Sequence, residues 1–139
     1  MMALNAEQYL LQIKKLDFMI ENKVRDHARW VEVAEGLGGC SGGDKVQTSR
    51  NLHQIPDAIG RYIDIEREIA ELRRQRAEII RTIERLPTME YDLIYRLYVQ
   101  EQSIKEVAYH FGRSYGWAKA KKRAALGLIQ TILDEREKV

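Results

Sequence analysis

The chain is 139 residues long, with 32% charged residues, 8% aromatics and only two prolines. This suits a helical, highly solvated protein of one domain, or a small domain with an extension, and excludes a compact β fold. The net charge of +2 is too small to argue for nucleic acid by itself, and the single cysteine, Cys40, excludes an intramolecular disulfide or a CxxC metal knuckle.

Asn5 is placed to cap a long first helix running to about Glu35. Tyr9, Ile13, Leu16, Ile20, His27, Trp30 and Ala34 recur mostly three and four apart, with Val24 and Val31 widening the stripe. That is the narrow seam of a coiled coil. A second long helix is expected to start after Pro56, with Asp57 in its first turn. It carries Ile59, Ile63, Ile69, Leu72, Ile79, Ile83 and Leu86 before Pro87 stops it. Both helices are roughly 45 Å long at the standard rise. Equal lengths favour an antiparallel hairpin, and either helix can also pair with a second copy of the chain to give a homodimer. Neither is stable alone, because a one-stripe helix needs a partner face.

The connection, residues 36–56, contains Gly36, Gly38, Gly39, Gly42 and Gly43 before Asp44 and Lys45. Gly38 and Gly43 have the spacing of a phosphate loop, but Asp44 stands where its lysine belongs. Val46 follows Lys45 where Ser or Thr is required, and a helix precedes the loop instead of a strand. A linker is the better reading of a connection this long.

After Pro87, Thr88 is expected to cap a helix bearing Leu93, Ile94, Leu97 and Tyr98 on one side. Ser103-Ile104-Lys105-Glu106 is a capping box, and the helix it starts has Ile104, Val107, Ala108 and Phe111 on one face. Gly112 supplies the left-handed residue of a tight turn. Ser114 then caps a last helix, about 115–133, ahead of a mixed-charge tail from Asp134. Residues 1–87 hold 14 basic and 14 acidic side chains, so that part is neutral. From Val107 to Leu133 there are five Lys/Arg (Arg113, Lys119, Lys121, Lys122 and Arg123) and no Asp or Glu. A helix-turn-helix with a basic second helix is a device for reading DNA. The fold expected is therefore all-α: a coiled-coil hairpin over 1–87 followed by a three-helix unit over 88–139.

The run from Leu86 to about Leu133 resembles the fourth region of bacterial sigma factors. Leu86-Pro87, Glu90, Asp92, Leu93-Ile94 and Tyr98 fall on its pattern without a gap, as do Ser103 to Ala108, Gly112, Ser114 and Ala125-Leu126. Arg113, Ala118 and Lys121 depart from it, each standing where a larger or more apolar residue is usual. Trp117 is expected to turn into the core beside Ala118, while the stem of Lys121 packs and its ammonium reaches solvent. With the coiled-coil front included, the whole chain is similar to small sigma-like proteins of Gram-positive phages and prophages, several of which are regarded as late-gene transcriptional regulators. The resemblance implies double-stranded DNA as partner, RNA polymerase as a second one, and the bacterial host cytoplasm as location.

On this reading Lys119, Lys122 and Arg123 meet phosphates or guanine edges. Arg113, Ser114, Tyr115 and Gly116 lie nearest the groove, Gly116 letting the backbone approach closely. Tyr91, Tyr95, Tyr98 and Tyr109 could stack on single strands, but the spacing of the first three favours packing. His27, His53 and His110 are isolated, so neither a metal site nor a cofactor is expected. Carboxylates on the second long helix alternate with arginines as surface pairs. Nothing assembles a nucleophile, a base and an oxyanion site, so an enzyme is not expected. Two other functions fit the same elements. One is DNA recognition in phage packaging, as in terminase small subunits; the other is a coiled-coil adaptor that binds only protein. No run approaches 18 apolar residues and the N-terminus lacks the pattern of a signal peptide, so neither a membrane span nor secretion is expected.

Overall fold

A computed structural model describes residues 5–36 and 49–138, and these are helical throughout apart from short turns, with no strand among them. The helices are α1 (Ala6–Ala34), α2 (Ser49–Glu84), α3 (Thr88–Ile94), α4 (Ile104–Phe111) and α5 (Tyr115–Glu137), with a π-helical turn, Tyr95–Val99, continuing α3. Residues 37–48, which hold Cys40 and the glycine-rich run through Lys45, lie outside the described residues. No described helix is long and apolar enough to cross a membrane.

Several boundaries differ from expectation. α2 starts at Ser49, so Pro56 lies inside it and not ahead of it; the ring already fixes a helical φ and removes one N–H donor without ending the helix. Thr88 is the first helical residue of α3, not its cap: Pro87 holds that position in an extended conformation and offers no side-chain bond. α5 continues to Glu137, taking in most of the expected tail. At the head of α1, Asn5 accepts a bond from Gln8 N at 2.8 Å while Gln8 Oε1 accepts from Asn5 N at 3.2 Å, a reciprocal cap.

The chain divides into two compact units. One runs up to Leu16 and resumes at Gln75. Its core joins Leu10, Ile13 and Leu16 of α1, Ile79 and Ile83 of α2, Leu93 and Ile94 of α3, Val107 and Ala108 of α4, and Ala118, Ala125, Ile129 and Ile132 of α5. α3 and α4 both pack on α5. Residues 88–138 therefore share their core with the beginning of α1 and the end of α2. Three polar ties accompany it. Ala6 N donates to Gln130 Oε1 at 2.8 Å, and Arg136 donates to Tyr9 Oη at 3.2 Å and to Thr82 Oγ1 at 2.6 Å. Thr82, fully buried, donates to Glu78 O at 3.2 Å, which leaves Tyr9 to donate to Thr82 at 2.9 Å. Every hydrogen and lone pair of the Thr82 hydroxyl is thereby used.

The other unit, Asp17–Arg74, pairs the rest of α1 with the rest of α2. Lys23 meets Glu68 at 2.8 Å and His27 meets Glu66 at 2.9 Å. Later residues of α1 thus meet earlier residues of α2, as antiparallel neighbours do. The buried seam of α2 here is Ala58, Ile65, Ile69 and Leu72. Ile59 and Ile63, expected on the seam, are 38% and 37% exposed because they stand one residue round the helix from it. Val24 is likewise exposed on α1.

Candidate nucleic-acid interface

The turn between α4 and α5 is built from its sequence outward. Ser103 N donates to Glu106 Oε1 at 2.8 Å, and Glu106 N donates to Ser103 Oγ at 3.1 Å, which fixes the start of α4. Gly112 ends it at φ 65°, ψ 35°, a left-handed conformation that costs a residue with Cβ more than glycine. Arg113 N then donates back to Ala108 O at 3.0 Å. Ser114 is extended, and its hydroxyl accepts from Trp117 N at 3.0 Å to cap α5.

The expected site residues separate into two groups. Arg113, Ser114, Tyr115, Gly116, Lys119 and Arg123 are all exposed, around the turn and the first turns of α5. The Arg113 guanidinium lies 5.4 Å from the Trp117 ring centre and Lys119 Nζ lies 5.5 Å from that of Tyr115. Such contacts orient a cation without neutralising it. Among the described residues, neither Lys119 nor Arg123 has an acidic partner. A Cβ added at Gly116 would meet only Ser114 Oγ, at 4.0 Å, so packing within the chain does not demand glycine there.

Lys122 falls in the second group. Its Nζ sits 3.5 Å from Glu7 Oε2 and 5.8 Å from the centre of the Tyr98 ring, while the Tyr98 hydroxyl donates to the same Glu7 oxygen at 2.9 Å. Burial first, and then this bond to a carboxylate, push the Tyr98 phenol well above its ordinary value. Lys121 is also engaged. Its ammonium meets Glu90 at 3.1 Å, and the Lys121 hydrogen bond is the main reason the Glu90 carboxyl is held below its ordinary range. Trp117 is half-buried against Phe111, ring centres 5.6 Å apart, beside a fully buried Ala118.

Sequence reasoning missed the roles of Glu7, Glu90 and Arg136, since nothing local marks a carboxylate or an arginine as the partner of a side chain on another helix. The tyrosines also divide. Tyr98 is buried and Tyr91 packs near Tyr95, ring centres 5.7 Å apart, whereas Tyr109 is 88% exposed on α4. Asp92 bonds Arg96 at 3.1 Å and lies 3.6 Å from His110, tying α3 to α4. Among the described residues no group of three His, Cys, Asp or Glu is arranged to hold a metal ion. No protein-family model, curated protein or solved structure matches the chain.

Proposed function

We propose that the protein is a sequence-specific, double-stranded DNA-binding transcriptional regulator of phage or prophage type. In this reading α4, the Gly112 turn and α5 form a helix-turn-helix, and α5 enters the major groove by its N-terminal end. The long helices form an antiparallel hairpin that serves oligomerisation or partner binding, with RNA polymerase as the partner the sigma-like resemblance implies. The observation that carries the reading is the exposed set Arg113, Lys119 and Arg123 on an acid-free stretch, with no carboxylate among the described residues to neutralise Lys119 or Arg123. A phosphate backbone responds to such local charge, whatever the net charge of the chain. Tyr115 and Ser114 beside these cations suit base-edge or phosphate contacts, and the bare surface at Gly116 suits close approach of the backbone.

The test is a gel-shift titration with the DNA upstream of the gene and of its neighbours, repeated over a range of salt. Binding is expected to weaken steeply as salt rises and to favour one sequence over random duplex. Equal affinity for every duplex, or no salt-sensitive binding to any, defeats the proposal.

A further inference from the structure

We infer that Glu7 is an internal competitor for DNA phosphate, which holds Lys122 out of the DNA-facing set. The inference rests on the DNA-binding reading and adds a residue of α1 to it. Tyr115, Lys119 and Lys122 are spaced four and three apart, so they follow one another along one side of α5. Lys122 is the next cation in that row. Its ammonium nevertheless lies against Glu7 and the Tyr98 ring.

The neighbouring pair shows what a fixed contact looks like in this helix. Lys121 and Glu90 are 3.1 Å apart, the Glu90 side chain is only 16% exposed, and its carboxyl is held below the ordinary range by the Lys121 hydrogen bond. Lys122 and Glu7 are 3.5 Å apart, and the Glu7 side chain is 47% exposed. The Glu7 oxygen that faces Lys122 already accepts the Tyr98 hydroxyl, so the carboxylate keeps its position when the lysine leaves. An exposed pair of this kind is weak and screened by salt. A DNA phosphate offers Lys122 an equivalent partner, which the lysine can take once the Glu7 charge no longer holds it. The first turn of α1 thus sets how many cations α5 presents.

The experiment compares the full chain with its Glu7→Gln variant on the same DNA across a salt series. Glutamine keeps an oxygen for Tyr98 and removes the charge. The variant is expected to steepen the slope of log K against log salt by about 0.9, and to tighten binding up to roughly eightfold near 0.1 M salt. The gain should vanish when Lys122→Gln is added. An unchanged slope with intact DNA binding overturns the inference alone; no DNA binding by either protein overturns the DNA reading and the inference with it. Should Glu7→Gln fail to fold, Lys122→Gln in the otherwise natural chain decides. It should change the slope far less than Lys119→Gln, and an equal loss shows that Lys122 is already on DNA.

Discussion

The two halves of α1 follow one periodicity and meet different fates. Up to Leu16 the helix buries Ala6, Leu10, Ile13 and Leu16, and Tyr9 enters the hydroxyl network with Thr82 and Arg136. From Asp17 to Ala34 no side chain is fully buried: Ile20, His27, Trp30 and Ala34 are half-buried and Phe18 is 57% exposed. The difference lies in the number of elements available to cover a stripe. In the first unit segments of all five helices share a core; in the second, among the described residues, two helices have only each other, and the buried side of their seam is that of α2. An apolar stripe therefore specifies a face, while the fold decides how dry that face becomes.

The largest expected effect tests this contrast directly. Ile13→Ala or Ile129→Ala, each at a fully buried position, should cost about 2–5 kcal/mol in urea denaturation. Phe18→Ala should stay within about 0.5 kcal/mol. Equal losses at Ile13 and Phe18 would show that the second half of α1 is as well covered as the first. Next in size is Thr82→Val. It removes the buried oxygen that Arg136 and Tyr9 share, and losing hydrogen bonds whose donors can turn to water costs about 1 kcal/mol. Tyr9→Phe should cost less, since the Arg136–Thr82 bond survives it. A neutral Thr82→Val would mean that the network adds nothing beyond packing.

Much of the all-helical fold was legible because its signals are local. The Ser103–Glu106 box, Gly112 and Ser114 each act within four residues, and each appears with the expected geometry. The seam was legible in period but not in phase. Ile59 and Ile63 compete with Ala58 for one face, and alanine carries too little apolar signal to reveal that it is the buried one. What pairs across the chain was not legible. Arg136 read as tail because its partners, Tyr9 and Thr82, are 127 and 54 residues away. The basic helix read as one cationic face, yet Lys121 and Lys122 are committed to Glu90 and Glu7. Periodicity ranks them with Lys119; only tertiary packing separates them.

That separation supplies a third prediction, now within α5. Lys119→Ala and Arg123→Ala should each lower the salt slope of DNA binding by about 0.9, with little change in stability. Lys121→Ala should do the reverse, leaving the slope alone and weakening the fold, because Glu90 then loses its ammonium partner at a mostly covered position. A slope change at Lys121 as large as at Lys119 would place both on the same surface.

The smallest effects return to the comparison of the two units, each of which holds a carboxylate that a lysine keeps ionised. Glu90 in the first and Glu68 in the second are both held below their ordinary value of 4.5, chiefly by hydrogen bonds from Lys121 and Lys23. A carboxyl with a depressed value binds fewer protons folded than unfolded. Its contribution to stability is therefore complete above about 4.5 and is lost as pH falls through the lower, folded value. The two should nonetheless differ in size. The Glu90 side chain is 16% exposed, whereas that of Glu68 is 51% exposed, although the two lysines are covered to a similar degree. Water and salt screen the second pair more effectively. Urea denaturation between pH 6 and pH 3 should thus show a flatter acid limb for Glu90→Gln than for the natural chain. Glu68→Gln should flatten it less, and 0.5 M salt should remove most of that smaller difference. If salt erased both effects equally, the shelter that distinguishes the Lys121–Glu90 pair would be absent, and with it the reason for treating that lysine as structural and the exposed Lys119 as the proposed DNA contact.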